Sequence, residues 1–208
     1  MNNYITHAPE TIIFVLILFL LGLLLNKNIA FLSIFLLVSF LFFYRGFNNN
    51  IQVRDNIVYI PCQGKILNIK ENDNNYHISI FLNLHNIHVQ YMPMSGQIIQ
   101  IIHKKGKFHP AYFLEKSKYN ERTLTKIKTD YGIIHFYQIA GQLARRIKVF
   151  NKENTVLKSL EPFGLIKFGS RCDLLVPKDN FILNENLREG LNVNIGDIFG
   201  YYKKNYHN

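Results

Sequence analysis

Residues 164–177 read GLIKFGSRCDLLVP. Apolar residues at alternate positions are the period-two signature of a strand with one buried face. The pattern is broken in the middle by Gly169-Ser170-Arg171. Glycine takes backbone conformations closed to other residues, so a Gly-Ser pair inside a strand marks a turn or a bulge. A hydroxyl and a guanidinium beside that turn allow a second reading, in which the interruption is a reactive group set into the strand. The rest of the chain has to decide between the two.

Outward from this stretch the sequence stays strand-like. Residues 56–70, NIVYIPCQGKILNIK, hold two short β-runs around Pro61 and Gly64. Residues 76–93, YHISIFLNLHNIHVQYMP, alternate and are rich in β-branched and aromatic side chains. Residues 96–108, GQIIQIIHKKGKF, open on a glycine and form another run. Residues 131–150, YGIIHFYQIAGQLARRIKVF, begin as a strand, and their second half, QLARRI, suits a short helix or a twisted strand. Residues 175–177 and 181–202 complete the set, and KENDNN (70–75) reads as a surface loop. Short strands between turns predict a mainly β domain over 46–208, sandwich- or barrel-like, α+β with few short helices.

The amino-terminal part is different. Two uncharged runs, TIIFVLILFLLGLLL (11–25) and IAFLSIFLLVSFLFFY (29–44), are separated by Asn26-Lys27-Asn28. As helices each would measure roughly 22–24 Å at about 1.5 Å per residue, against a bilayer core of about 30 Å. No basic residue precedes the first run and no small-x-small site follows it, which argues against a cleaved signal peptide. The expectation is a helical hairpin over 1–45 that anchors the chain in a membrane, either crossing twice or dipping into one leaflet.

The chain has 208 residues and a net charge of +10. Glu10 and Lys27 cancel within the hairpin, so the whole surplus falls on residues 45–208. A basic domain beside a membrane anchor belongs on the cytoplasmic face and is drawn to anionic lipid. The expected location is therefore a membrane, on its cytoplasmic face. No nucleic-acid motif accompanies the charge, so nucleic acid is not an expected partner. Cys62 and Cys172 are expected as free, buried thiols in a reducing compartment. His85 and His88 stand three apart without a second pair or an intervening carboxylate, so no metal is expected.

Four blocks, in order, carry a resemblance. The segment ISIFLNLHNIHVQYMPMSG (78–96) is similar to ISIFMSxxDVHVNRxPxxG, and GKFHPAYFLEKSKYNER (106–122) to GxFxxAxxxxSxxNER. YQIAGQLARRI (137–147) is similar to QIAGxxARRI, and the opening stretch to GxIxFGSRxDxxxP. Together they resemble the phosphatidylserine decarboxylases, especially the short bacterial type, over roughly residues 42–200.

The resemblance implies a self-cleaving chain. Ser170 would attack the carbonyl of Gly169, giving a β chain of 1–169 and an α chain of 170–208 whose first residue becomes a pyruvoyl group. That group would be the cofactor for converting phosphatidylserine to phosphatidylethanolamine. His88 would move protons. Arg145, Arg146 and Arg171 are candidates for the substrate's phosphate or carboxylate, because a guanidinium fork suits both. One of the three is expected to be an ion-pair partner instead, with Asp173. Asn120 and Arg122 would shape the substrate pocket. Implied partners are phosphatidylserine, anionic membrane lipid, the chain's own two fragments and, as an open possibility, a second copy.

The chain departs from the family pattern at two carboxylates. Pro61-Cys62-Gln63-Gly64 stands where PADG is usual, and Asn86 replaces the aspartate of DVH; Tyr91 is a further change. An amide hydrogen-bonds but cannot supply the charge that stabilises an imidazolium. This leaves a second reading, a non-processing relative that binds lipid or regulates.

Overall fold

The computed structural model describes residues 9–43, 45–48, 50–142, 146–166 and 170–203. The chain forms two compact units, residues 1–48 and 49–208.

The first unit is a helical hairpin of α1 (Pro9–Leu25) and α2 (Lys27–Phe43). Asn26 makes the corner. Its N–H donates to the Gly22 carbonyl at 2.9 Å, and its Oδ1 accepts the Asn28 N–H at 2.8 Å, capping α2. Gly22 lies where a Cβ would run into the backbone of Ala30, so the helices can approach closely there. The expected membrane anchor is not supported. Each helix has 17 residues, about 25 Å at the α-helical rise. Among the described residues no helix is long and apolar enough to cross a membrane. An uninterrupted apolar run predicts a helix well, but its length decides whether that helix can span.

The second unit is mainly β. Its strands are β1 (Ile57–Tyr59), β2 (Gly64–Glu71), β3 (Asn75–Leu82), β4 (Val89–Tyr91) and β5 (Gly96–Lys104). A one-turn helix α3 (Leu114–Ser117) precedes β6 (Arg122–Thr129), β7 (Gly132–Ala140), β8 (Ile147–Val149), β9 (Val156–Leu157) and β10 (Pro162–Ile166). The last are β11 (Ser170–Pro177), β12 (Phe181–Leu183), β13 (Asn192–Val193) and β14 (Ile198–Tyr202).

These strands pair antiparallel in three open sheets, ordered β1-β14-β12, β4-β10-β8 and β13-β2-β3-β11-β7-β6-β5-β9. The strand spacing predicts a mainly β domain, sandwich- or barrel-like; the domain is mainly β, its sheets are open, and the large sheet ends in two strands of two residues each, β13 and β9. Edges that short leave little ladder for another chain to extend.

The stretch 164–177 is two strands in different sheets. Its first part belongs to β10, at the centre of a three-stranded sheet, and its second to β11, near the middle of the eight-stranded one. Only residues 167–169 join them, and these lie outside the described residues. In the QLARRI segment Ile147 opens a strand, β8.

Alternation in β11 sends Cys172, Leu174 and Val176 into the core, which they share with Ile78 and Ile80 of β3. The sheets meet there through rings: Phe136 of β7 lies 5.1 Å from Phe163 of β10, and Tyr76 of β3 lies 5.7 Å from Phe181 of β12. Cys62 and Cys172 are free and buried. Burial first, and then a hydrogen bond with the Cys62 thiol, push the Cys172 thiol well above its usual range.

Two outcomes follow from this core. Phe136→Ala removes the ring that joins two sheets and should cost about 3–5 kcal/mol, read from urea denaturation. Alkylation followed by mass spectrometry should leave Cys172 unmodified in native protein near neutral pH and modify it fully on unfolding.

Candidate active site

Ser170 is the first residue of β11 and is paired on both sides, to Leu82 of β3 and Ala140 of β7. It is fully buried, and its Oγ has no hydrogen-bond partner among the described residues. Leaving a buried hydroxyl unpaired costs about 1–3 kcal/mol, so an orphan of this kind calls for an explanation. Gly169, the other half of the expected reactive pair, lies outside the described residues, as does Arg145.

His88 is also fully buried and leads directly into β4. Its Nδ1 lies 2.8 Å from the Asn86 carbonyl. A carbonyl can only accept, so Nδ1 carries the proton and Nε2 is the basic nitrogen. The backbone ties the same residue to β10, with the Ile166 N–H donating to the His88 carbonyl at 3.4 Å. Ile166 is the last described residue before Ser170. The histidine loop and the approach to the Gly169–Ser170 bond are thus fastened together.

The two replaced carboxylates have new work. Asn86 Oδ1 accepts the Asn83 N–H at 2.8 Å and the Asn86 N–H donates to the Asn83 carbonyl at 3.0 Å, closing a reciprocal turn. Its main-chain carbonyl then serves as the acceptor that orients the imidazole. Gln63 Oε1 accepts the Ile87 N–H at 3.0 Å, and its Nε2 donates to Asn194 Oδ1 at 3.1 Å. Gln63 therefore braces the residue just before His88 and ties it to the segment preceding β14.

A second pair of amides escaped the sequence reading. Gln90 Nε2 donates to the His88 carbonyl at 2.5 Å, and Gln138 Nε2 donates to Gln90 Oε1 at 2.8 Å. Both glutamines are fully buried, and Gln138 Oε1 has no partner among the described residues. Gln138 stands opposite Cys172 in the ladder, two residues from the partner of Ser170. The available signal was a polar residue at an inward position of each strand, in HVQYMP and FYQIA.

On the opposite face of the large sheet Arg171 and Asp173 form a buried ion pair, Nε to Oδ1 at 2.8 Å and Nη2 to Oδ2 at 3.1 Å. Arg171 Nη1 donates to Ser117 Oγ at 2.5 Å and to the Ala111 carbonyl at 3.4 Å. Among the three arginines singled out, Arg171 is thus the ion-pair partner. Asn120 is a clamp: its Oδ1 accepts the His109 N–H at 2.8 Å, and its Nδ2 donates to the carbonyls of His109 and Ala140 at 2.7 and 2.8 Å. Arg122 is half-buried, with Nε to the Asn120 carbonyl at 3.2 Å and Nη2 to the Ser117 carbonyl at 3.3 Å. Its pKa is lowered, mainly by burial and then by the Arg171 charge, with Asp173 acting the other way.

Arg146 is exposed. It precedes Ile147, which pairs with Ile166, so it lies at the end of the small sheet from which residues 167–169 depart. Among the described residues no cluster of three or more His, Cys, Asp or Glu could hold a metal ion.

Three further observations bear on what this arrangement is. The family model described as phosphatidylserine decarboxylase matches residues 40–201. A phosphatidylserine decarboxylase proenzyme of Cytophaga hutchinsonii is 36% identical over 163 residues, covering 74% of each chain. Proenzymes of the same name from Rickettsia typhi and Carboxydothermus hydrogenoformans are each 34% identical. The first alignment spans 181 residues, with 82% of this chain and 78% of the relative; the second spans 170 residues, with 78% and 80%. With its buried serine, its oriented histidine and this extent of likeness, the chain belongs to the phosphatidylserine decarboxylase family.

Proposed function

We propose that this chain cleaves itself between Gly169 and Ser170 and then decarboxylates phosphatidylserine to phosphatidylethanolamine at a membrane surface. The observation that carries the reading is the Ser170 hydroxyl, buried, unpartnered among the described residues and held at the first position of a doubly paired strand.

In the cleavage step Ser170 Oγ bonds to the Gly169 carbonyl carbon while the peptide C–N bond breaks. The hydroxyl proton passes to the freed amine, and the amide has become an ester. Removal of the Ser170 α-proton and departure of the Gly169 carboxylate open the chain. Water then replaces the nitrogen at residue 170 as ammonia leaves, giving the pyruvoyl group. His88 offers Nε2 as the base for these transfers, its tautomer fixed by the Asn86 carbonyl. The orienting group is a neutral carbonyl, so the imidazolium gains less than an aspartate would give it. A step made once per molecule tolerates that loss of rate.

The residues present fit the group. It would be made from Ser170 itself, whose Cα would become the keto carbon, in the buried place where the Oγ, unpartnered among the described residues, now lies at the first position of a doubly paired strand. The pyruvoyl group supplies an electron sink for the carbanion left by loss of CO2. The chain's own part is to exclude water and to orient the substrate. Among the described arginines Arg146 suits the lipid's phosphate or carboxylate, since it is exposed and near the departing segment, whereas Arg171 is committed to Asp173.

Cleavage leaves the sheets intact. The fragment 170–208 contributes β11 between β3 and β7, β13 beside β2, and β14 beside β1. The two chains remain one folded unit.

Intact mass under denaturing conditions should show two pieces breaking between Gly169 and Ser170, the smaller lighter by the serine-to-pyruvoyl change. Gel filtration of the same sample in a non-denaturing detergent should show them travelling together. Ser170→Ala should give one uncut chain with no decarboxylation; cleavage at this bond in that variant would refute the mechanism. His88→Ala should slow the appearance of fragments by about 10²-fold or more, followed by mass against time. Arg146→Ala should still be cleaved, with KM for phosphatidylserine raised more than kcat is lowered.

A further inference from the structure

We propose that residues 104–119 form a docking surface for an anionic phospholipid bilayer, placed one residue from Ser170. The inference extends the lipid-decarboxylase reading, on which the choice of a phospholipid surface rests.

The segment is displayed from a rigid base. Arg171 holds it from beneath through Ala111 and Ser117, and the Asn120 side chain grips both backbone groups of His109. The Lys107 N–H donates to the Tyr119 carbonyl at 2.8 Å, closing the loop across its base. With the base fixed, four rings remain outside: Phe108 at 37% exposure, Tyr112 and Phe113 at 48%, and Tyr119 at 61%. Single exposed apolar residues are ordinary, but four rings on one short loop are not. Tyr112 and Phe113 lie 4.2 Å apart, and Tyr112 meets Phe81 at 5.7 Å. Phe81 stands opposite Arg171, the residue after Ser170.

The charge selects the occupant. The segment has five lysines, at 104, 105, 107, 116 and 118, all exposed, and one acidic residue, Glu115. Glu115 is itself paired with Lys118 at 3.0 Å. Lys116 Nζ sits 5.7 Å from the Phe113 ring centre and Lys118 Nζ 5.4 Å from that of Tyr119. Ring and ammonium side by side match the two layers of a lipid interface, where rings settle below the headgroups and lysines reach the phosphates. A second copy would present the same positive charge and be repelled. Docked this way, the loop would bring the Ser170 end of β11 to the layer in which a serine headgroup lies.

The chain contains no tryptophan, so one introduced indole reports on its own position. Phe113→Trp and Tyr119→Trp would be made separately in the full chain. Val156→Trp is the control: it is 70% exposed, on β9, which pairs with the end of β5 remote from Lys104. Emission would be read with phosphatidylcholine vesicles carrying brominated acyl chains, with and without phosphatidylglycerol, an anionic lipid that is not a substrate.

Residues 113 and 119 should shift to the blue and be quenched with phosphatidylglycerol, and 156 should not respond. Lys116→Glu/Lys118→Glu should reduce that quenching several-fold, as should raised salt. The proposal is overturned if 113 and 119 stay unquenched, even with the protein bound to vesicles through another part. It is equally overturned if 156 responds as strongly or the charge-reversed variant is quenched undiminished. A blue shift without vesicles that grows with protein concentration would assign the surface to a second copy instead. The test reads docking whether or not the chain is cleaved, so its failure is separate from failure of the decarboxylase reading.

Discussion

The two-sided ladder of β11 is the contact on which the rest depends. From Ser170 to Leu175 each residue stands between one partner on β3 and one on β7. Such a strand has no freedom to slide, because a slip of one residue would turn Cys172 and Leu174 out of the core and Arg171 and Asp173 into it. Register therefore assigns every function in the stretch. Even positions fill the interior and put the hydroxyl of Ser170 on that side. Odd positions form the ion pair that carries the neighbouring loop.

Around the serine the buried polar groups are mostly amides and main-chain carbonyls. Gln63, Asn86, Gln90 and Gln138 brace one another or the backbone beside His88. Neutral partners suit a dry interior, where an ionised carboxylate with no counter-charge would be costly. The buried carboxylate in this region, Asp173, has Arg171 against it and His77 at 3.6 Å. The interior side is thus arranged by hydrogen-bond direction, and the opposite face by charge.

Much of this was legible in the sequence. Alternation gave the strands, and four spaced blocks carried the family. Two buried cysteines and an Arg171–Asp173 pair were also within reach, since two residues apart on a strand share a face. Other features were hidden for physical reasons. Alternation runs through both β10 and β11, so nothing in the pattern shows that the chain changes sheets between them. Strand spacing does not tell an open sheet from a closed one, because closure depends on stagger between strands. Arg145, Arg146 and Arg171 are alike as residues, and only burial separates Arg171 from Arg146. Apolar composition showed the helical hairpin but not its role: the expected membrane anchor, crossing or dipping into one leaflet, is not supported, and at 17 residues neither helix is long enough to cross.

A newly made chain end normally frays, and whatever it carries samples a wide volume. In this fold the proposed end would fall on a residue already locked between two neighbours, with no leader in front of it. A group formed there would inherit the stillness of the sheet's interior. Its reactive carbon would be held in place before any lipid arrives, and the entropy of arranging it would have been lost once, during folding, rather than at each turnover.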